Sequence, residues 1–341
     1  MKDTRENKSR NKTATTPECL PQERCSYLLR WESFLFLVMV LVFIANCVNS
    51  PYFLDAWNLS DATYNFTEKA MIAFPLTLLI IVGEIDISVA SIMALSSVGM
   101  GVFSQYGLST YTLVLIGIMV GGLCGLTNGL MVTLFRIPSI VVTIGTMSLF
   151  RGIGYILLST KVAKQYPKGF EYFGQGYVFW VFSFEFALFS VFALVFYILL
   201  HHTHFGRITY AIGNNETASY YSGISVNRHK LILFVLVGLC AGIASVLLTS
   251  RLGSTRPSIA TGWELGIITI VMLGGVNILG GSGSILGVVI ALILMGLLTY
   301  GVGLLNIPGI VMSVIVGSML ISVVSLPIFF NMIKSQRWRV K

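Results

Sequence analysis

The chain has 341 residues, of which 55% are hydrophobic and only 11% are charged, with a formal net charge of +8. A typical soluble domain carries about a quarter charged residues, so this composition excludes a water-soluble fold. The basic residues lie mostly in tails and loops, not on one face with interleaved aromatic residues, so the charge does not indicate nucleic-acid binding. The five cysteines show no paired spacing, and neither a disulfide framework nor a zinc site is predicted.

The apolar runs predict an all-α integral membrane protein, a polytopic bundle of transmembrane helices between residues 33 and 330. Residues 1–32 are polar and predicted to be a disordered cytosolic extension, and 331–341 form a basic tail. Crossing hydrocarbon takes about 20 mostly apolar residues, because backbone groups there are paired within the helix. About ten spans follow from this rule, at 33–50, 68–83, 86–105, 111–134, 139–159, 177–200, 230–249, 264–281, 284–304 and 308–329.

The distribution of Lys and Arg predicts the orientation of the bundle. Fifteen of the 22 lie in the tails or in loops on the same side as the tails. The positive-inside rule makes this side cytoplasmic, with both termini in the cytoplasm. Five residues fall on the opposite side and need another explanation: Lys161, Lys164, Lys168, Arg251 and Arg256.

The two halves of the chain resemble each other weakly. Residues 135–149 align with 305–320, and their Ile-Pro pairs are 170 residues apart. Two pseudo-repeated halves are common in transporters, where the substrate site lies between the repeats. The alternative is that Ile-Pro is simply a frequent way to begin a helix. Glycine clusters at 121–129 and 274–284 predict close approach of helix backbones.

The segment 83–91 places Glu84 and Asp86 between two apolar runs. Ionisable residues in a membrane span are functional candidates by default, so Glu84, Asp86 and the neighbouring Ser88 are candidates for a translocation path. Asp86 or Ser88 is alternatively the N-cap of the next helix, whereas Glu84 is a candidate for either a path-lining or an interhelical role. Further candidates for a translocation path, equally plausible as helix-packing groups, are Asn128, Thr143, Thr146 and Asn277.

Residues 201–230 form the largest polar segment between predicted spans. Its middle begins with an Asn cap and carries Ala218, Tyr221 and Ile224 at three-residue spacing, which predicts a short surface helix. Such a helix can pack into a partner's groove, and the alternative is an ordinary connecting loop. The three histidines at 201, 202 and 204 have no further ligands nearby in the sequence and are interpreted as solvated.

Several catalytic patterns are absent from the sequence. No G-x-x-x-x-G-K-[ST] phosphate loop occurs, so any ATP has to be handled by another chain. No Gly-x-Ser-x-Gly elbow or H-E-x-x-H pair indicates hydrolysis. The chain is therefore predicted to be no enzyme and to bind no metal or cofactor itself.

Four segments make the chain similar to the permease subunits of ribose-type ABC sugar importers. They are GEIDISVAS (83–91), TNGLMVTLFRIPSIVVTIGTMSLFRGI (127–153), THFGRITYAIGNNETASYYSGISVNRHK (203–230) and VMLGGVNILGGSGSILGVVI (271–290). They occur in order over most of the chain after residue 33. Many members of the family have glycine where Glu84 and Ala90 stand here. The chain looks most like rhamnose permeases, with autoinducer-2 permeases close behind.

The resemblance implies a set of partners in a bacterial inner membrane. These are two cytosolic ATPase subunits that hydrolyse ATP, a second permease chain, identical or homologous, and a periplasmic sugar-binding protein. It implies that the 201–230 segment couples to the ATPase, with candidate residues Gly213, Asn214, Ala218, Tyr221 and Gly223. The five basic residues on the outer side are then a candidate docking collar for the binding protein, or alternatively solvated loop charges.

The expected function is translocation of a monosaccharide, rhamnose-like or another deoxy-sugar or pentose, coupled to the separate ATPase. Import of autoinducer-2 by the same mechanism is the first alternative. A secondary transporter that uses Glu84 and Asp86 as a proton or sodium site is a second, and a multi-span receptor or scaffold is a third.

Overall fold

The structure is a computed structural model that describes residues 31–159 and 161–305, together with separate residues between 307 and 321. The predictions for residues 1–30 and 331–341 lie outside this range. The elements are α1 (Trp31–Asn49), α2 (Ala56–Ile81), α3 (Val89–Ser104), α4 (Thr110–Phe135), α5 (Ser139–Leu158), α6 (Tyr172–Gln175), β1 (Tyr177–Phe179), β2 (Phe182–Ser183), α7 (Phe184–His202), α8 (His204–Asn214), α9 (Glu216–Tyr221), α10 (Val226–Leu252), α11 (Trp263–Leu273) and α12 (Ile285–Leu304).

Six of these helices, α1, α4, α5, α7, α10 and α12, are long and apolar enough to cross a membrane. Two shorter helices, α3 with 16 residues and α11 with 11, are also apolar. The chain is therefore a multi-pass helical membrane protein, as predicted. The count of ten spans and the repeat stay predictions, because most of the span 308–329 and part of the second repeat segment lie outside the described residues.

Two predicted spans have different starts in the structure. Helix α2 begins at Ala56, well before the predicted residue 68. The predicted span 177–200 opens instead with a small antiparallel hairpin, in which Tyr177 pairs with Ser183. Helix α7 follows the hairpin, and Ser183 caps it by accepting a hydrogen bond from the amide of Phe186 at 3.2 Å. The all-α fold class holds, and the hairpin only shifts the start of this span to Phe184.

The predicted span 264–281 was also wrong, because α11 ends at Leu273. The following glycine-rich segment 274–284 forms a turn, and Gly275, Gly280 and Gly281 adopt positive φ angles of 80° to 86°. Glycine reaches this region without steric cost, whereas other residues do not. The segment therefore returns the chain to α12 instead of extending the helix.

The glycine cluster 121–129 behaves as predicted and brings α4 against α10. A Cβ atom on Gly121 would lie 2.9 Å from the Cα of Gly242, and one on Gly238 would lie 2.8 Å from the Cα of Gly125. In lipid, where apolar surface gives little drive for helices to associate, small residues allow the backbones to pack closely. This contact joins two of the long apolar helices of the bundle.

Helix α2 forms the centre of the bundle and packs on α7, α10, α11 and α12. All of its side chains from Ala70 to Ile81 are buried. Helix α1 is peripheral: Leu35 is its one buried residue, and the helix packs on α12. Side-chain bonds near its two ends add to this contact. The indole of Trp31 donates to the carbonyl of Leu273 at 2.7 Å, and the amide of Asn46 donates to that of Leu297 at 3.0 Å.

We predict that Gly238→Leu destabilises the bundle by about 1–3 kcal/mol, the usual cost of forcing side-chain atoms into a packed interior. The measurement is thermal unfolding of the detergent-purified chain. Gly145→Ala is the matched control, because no atom lies within 4 Å of the Cβ position of Gly145. Equal melting temperatures for the two variants would contradict the close α4–α10 contact.

Candidate functional site

The turn 82–88, between α2 and α3, holds a buried carboxylate. Asp86 has no exposed surface. Its Oδ1 accepts hydrogen bonds from the amide of Ser88 at 2.8 Å and from the hydroxyl of Ser88 at 2.6 Å. A charge in such a place is costly unless protein groups solvate it, so these bonds fix the turn around the Asp86 side chain.

Two neighbouring helices also bind this turn. From α4, the amide of Asn128 donates to Oδ2 of Asp86 at 3.3 Å and to the Ser88 hydroxyl at 2.8 Å. From α5, the Ser139 hydroxyl accepts from the amide of Ile85 at 3.2 Å, and Thr143 donates to the Ile85 carbonyl at 3.4 Å. Five of the seven residues proposed for the translocation path, Glu84, Asp86, Ser88, Asn128 and Thr143, therefore meet at or around one turn.

The N-cap interpretation of Asp86 and Ser88 needs a correction. Ser88 occupies the N-cap position of α3, but its side chain makes no capping bond. Asp86 binds the amide two residues ahead, as in an Asx turn, instead of an amide in the first turn of α3. The carboxylate thus stabilises the turn and links it to α4, and it does not cap the helix.

The other two path candidates are placed differently. Thr146 is buried one turn further along α5, where its hydroxyl donates to the carbonyl of Thr143 at 3.4 Å. Asn277 lies apart, in the turn 274–284, where its side chain accepts from the amide of Leu279 at 3.1 Å. Asn277 is exposed and stabilises its own turn.

The 201–230 segment contains two helices. Helix α8 begins after Thr203, whose hydroxyl accepts from the amide of Gly206 at 3.3 Å. It buries one face, at Gly206, Thr209 and Ile212, and exposes the other. Helix α9 is the predicted short surface helix, and Asn215 is its predicted cap, accepting from the amide of Ala218 at 2.9 Å.

The end of α8 meets the membrane bundle through backbone atoms. Gly213 packs so closely against the carbonyl of Ile81 that a Cβ atom on Gly213 would collide with it, and that Cβ would also lie 2.7 Å from the amide nitrogen of Gly281. The amide of Gly281 donates to the Ile81 carbonyl at 2.9 Å. Three segments, α2, α8 and the turn 274–284, therefore share one contact, which we call the backbone joint.

Side chains of α8 reinforce the backbone joint. The Tyr210 hydroxyl donates to the carbonyl of Gly283 at 2.7 Å, and the amide of Asn214 lies 3.5 Å from the carbonyl of Gly281. Gly213 lies within α8, and the absence of a side chain there allows this close approach. Gly223 does adopt a positive φ, 85°, at the turn that follows α9.

The remaining residues proposed for coupling, Ala218 and Tyr221, lie on the exposed surface of α9. Tyr221 has 83% of its surface exposed and the neighbouring Tyr220 has 67%. The two rings contact each other edge to face, 5.7 Å apart. Exposed aromatic residues are frequent in the central part of protein–protein interfaces. This face of α9 therefore has the character of a docking surface.

An ion-paired group links α9 to the turn 82–88. Lys230, at the start of α10, lies 2.7 Å from a carboxylate oxygen of Glu84 and 2.9 Å from one of Glu216 on α9. The three residues line an open cavity of about 820 Å³, and Arg136 and Arg228 line it as well. The sequence pattern indicated Glu84 as a candidate but did not indicate its partner Lys230, which is 146 residues away.

The opposite end of the bundle carries the hairpin and the five basic residues proposed as a docking collar. Lys161, Lys164, Lys168 and Arg256 are exposed. The segments of Lys161, Lys164 and Arg256 are joined by an antiparallel bridge between Ala163 and Thr255. Arg251 differs from the others, because its guanidinium binds both carboxylate oxygens of Glu68, at 2.7 and 2.9 Å.

Near this bridge, Tyr166 lies outside the predicted spans and is largely enclosed by protein. Its hydroxyl lies 2.6 Å from that of Thr255. Burial raises the pKa of Tyr166 to about 12. The ring therefore stays neutral at physiological pH and acts as a hydrogen-bonding group.

Several charged residues inside α2, α5 and α7 were missed by the sequence analysis. Glu68 and Glu185 are buried, and one oxygen of Glu185 accepts from Thr67 at 2.7 Å. Arg151 on α5 donates to the carbonyls of Pro257 and Ile259, at 2.9 and 2.8 Å. The signal that selected Glu84, an ionisable residue within an apolar stretch, also applies to these residues.

Histidines 201, 202 and 204 lie at the junction of α7 and α8. Among the residues that the structure describes, no group of three or more His, Cys, Asp or Glu side chains is placed to hold a metal ion.

A helical bundle with six membrane-length apolar helices and a surface helix pair at one end defines a multi-pass membrane protein. The family described as "Branched-chain amino acid transport system / permease component" matches residues 58–324. Relatives named "Autoinducer 2 import system permease protein LsrD" occur in Escherichia coli O9:H4 (strain HS), Escherichia coli (strain K12) and Shigella flexneri. Each is 35% identical over 300 residues, which cover 86% of this chain and 91% of the relative. No solved structure matches the chain significantly.

The chain belongs to this permease family and is a membrane subunit of a ribose-type ABC sugar importer. It is therefore a transporter component and not itself a catalytic enzyme. Membership implies, in general terms, an ABC ATPase and a periplasmic binding protein as partners.

We predict that Arg251→Met destabilises the chain by about 3–5 kcal/mol, because it leaves the buried charge of Glu68 without its partner. The Glu68 side chain has only 1% of its surface exposed, whereas Arg251 retains 30%. Thermal or denaturant unfolding in detergent measures the change. Arg256→Met, an exposed position, is the control and is expected to change stability little. If Arg251→Met left the stability unchanged, Arg251 would again be a candidate docking residue, like the four exposed basic residues.

Proposed function

We propose that this chain forms half of the membrane pathway of an importer for a small sugar or sugar-like molecule, driven by ATP hydrolysis in a separate cytosolic ATPase. The second half is another permease chain, identical or homologous. A periplasmic binding protein delivers the substrate at the hairpin end. The chain lies in the bacterial inner membrane with both termini in the cytoplasm, so that α8 and α9 face the ATPase.

The backbone joint is the observation that carries this proposal. A displacement of α8 reaches Ile81 and Gly281 without passing through flexible side chains, because the three backbones are in direct contact. Helix α9, with its exposed Tyr220 and Tyr221, is the surface on which the ATPase would dock and exert force. The contact supports transmission from the surface helices to the end of α2 and to the turn 274–284.

The mechanism we propose is alternating access. Closure of the ATPase subunits moves the 201–230 segment, the backbone joint carries the displacement into α2 and into the turn 274–284, and the bundle tilts to open the path. The turn 82–88 follows the end of α2 directly. Its bonds to α4 and α5 through Asp86 and Ile85 would carry the displacement further into the bundle.

Two substrate classes have support. The curated relatives named above are import permeases for autoinducer 2, and the sequence resembles rhamnose permeases. Both cargoes are small and rich in hydroxyl groups. We therefore propose a small polyhydroxylated molecule, either autoinducer 2 or a rhamnose-like monosaccharide, as the substrate to be tested.

The proposal of a gradient-driven carrier has less support from the geometry. An ion site made by Glu84 and Asp86 requires free carboxylate oxygens. Glu84 is instead paired with Lys230 at 2.7 Å, and both Asp86 oxygens accept hydrogen bonds from Ser88 or Asn128. The two acidic residues are therefore better explained as links between helices.

Transport is tested in proteoliposomes that contain this chain, its second permease chain and the ATPase, with a substrate-loaded binding protein outside. We expect uptake of autoinducer 2 or labelled rhamnose only when ATP is present, and no loss of uptake when ionophores collapse ion gradients. Uptake that persists without ATP but stops with an ionophore would favour the gradient-driven carrier. Absence of uptake with every sugar tested would overturn the substrate proposal.

Replacement of Gly213 tests the backbone joint. Gly213→Val is expected to lower uptake by about tenfold or more, because the added side chain has to displace the backbone of Ile81 or Gly281, a disruption worth about 1–3 kcal/mol. Gly303→Val is the matched control, since no atom of the described residues lies within 4 Å of its Cβ position and its φ is not in the left-handed region. Both variants are compared for membrane expression and for ATP-dependent uptake. Normal uptake with Gly213→Val would contradict the proposed route.

A further inference from the structure

The group formed by Lys230, Glu84 and Glu216, here called the lysine link, connects three separate elements. The ammonium of Lys230 donates to Oε1 of Glu84 at 2.7 Å and to Oε2 of Glu216 at 2.9 Å. Lys230 belongs to α10, Glu216 to α9, and Glu84 to the turn 82–88. One cation therefore joins the surface helix to the buried turn.

The two arms of the lysine link differ in their exposure. The side chains of Lys230 and Glu84 are 9% and 14% exposed, whereas that of Glu216 is 54% exposed. Exposed ion pairs contribute little to stability and are screened by salt, whereas breaking a buried pair is strongly unfavourable. The Glu216 arm is thus the weak one, able to open and close, and the Glu84 arm is the durable one.

The durable arm ends on the turn that organises α4 and α5. The residue after Glu84, Ile85, is bonded through its amide to Ser139 on α5. The next residue, Asp86, is bonded to Asn128 on α4. A change in the position of Glu84 therefore shifts a segment whose backbone and side chains are already attached to two other helices.

We propose that Lys230 is a positioning residue that couples the movement of α9 to the turn 82–88, with the Glu216 arm breaking and re-forming in each transport cycle while the Glu84 arm stays closed. This inference rests on the proposed function, in which the ATPase moves α9. It adds a second route beside the backbone joint. This route acts through charge and reaches α4 and α5 through the turn 82–88.

Charge exchange between Lys230 and Glu84 tests the coupling in proteoliposomes with the ATPase and the loaded binding protein. Lys230→Met is expected to lower the number of substrate molecules taken up per ATP hydrolysed by about tenfold, the effect of losing a hydrogen-bonded ion pair. Lys230→Arg keeps the charge and is expected to retain most of the coupling. The reversed pair Glu84→Lys with Lys230→Glu restores the buried ion pair but sets a carboxylate beside Glu216, so it is expected to stay uncoupled.

A neutral pair separates coupling from simple charge compensation. Glu84→Gln with Lys230→Met removes both buried charges. If the two charges do no more than neutralise each other, this double variant regains the stability that Lys230→Met alone loses. We expect this variant to fold but to stay uncoupled. Recovery of full coupling by the neutral pair would overturn the proposal.

Hydrogen exchange on the chain alone tests the link without any transport. Glu216→Gln is expected to raise the exchange rates of backbone amides in 83–88 by about two- to fivefold, the effect of losing an exposed ion pair. Tyr221→Ala, on the same helix but outside the lysine link, is expected to leave them unchanged. Unchanged exchange in Glu216→Gln would overturn the link. If the exchange results are as expected but the unaltered chain transports no sugar, the lysine link stands and the proposed function is contradicted.

Discussion

A buried carboxylate in a membrane protein has to find all of its partners within the protein, and the arrangement of the bundle depends on how Asp86 meets this requirement. The turn that carries it closes around the carboxylate through Ser88 and attaches to α4 through Asn128. The backbone of Ile85 attaches the same turn to α5. Loss of these partners would leave polar groups where no water is available to replace them. The positions of four helices are thus set by one short segment.

The two ends of the bundle use charge in different ways. At the hairpin end, Arg251 binds Glu68 with two hydrogen bonds and fastens the end of α10 to α2. At the other end, Lys230 divides its hydrogen bonds between a buried and an exposed carboxylate. The first arrangement favours rigidity, because both oxygens of one carboxylate are engaged. The second has one partner that can be exchanged for water at small cost. Between them, the glycines of α4 and α10 bring the two helix backbones into close contact.

Long apolar runs made most of the helices predictable from the sequence, and α4, α5 and α12 begin and end within a residue or two of their predicted limits. The failures have local causes. Val276, Ile278 and Leu279 make the segment after α11 look like a continuing span, although the positive φ angles of the neighbouring glycines turn it. The charges within apolar runs identified Glu84 and Asp86 as important residues. Their partners Lys230 and Asn128 are far away in the sequence and are brought close only by folding. For this reason, contacts between distant helices were not predictable from one sequence.

The backbone joint has a consequence for how such permeases diverge. Its central contact is made by main-chain atoms of Ile81, Gly213 and Gly281. Substitution elsewhere in the path can alter which cargo is accepted without changing the shape of these atoms. Under the proposed mechanism, the contact that receives mechanical work is thus set by main-chain shape and not by the side chains that vary between relatives. Exchange of the helix pair α8–α9 between related permeases would then keep this contact as long as the glycines at its centre are kept.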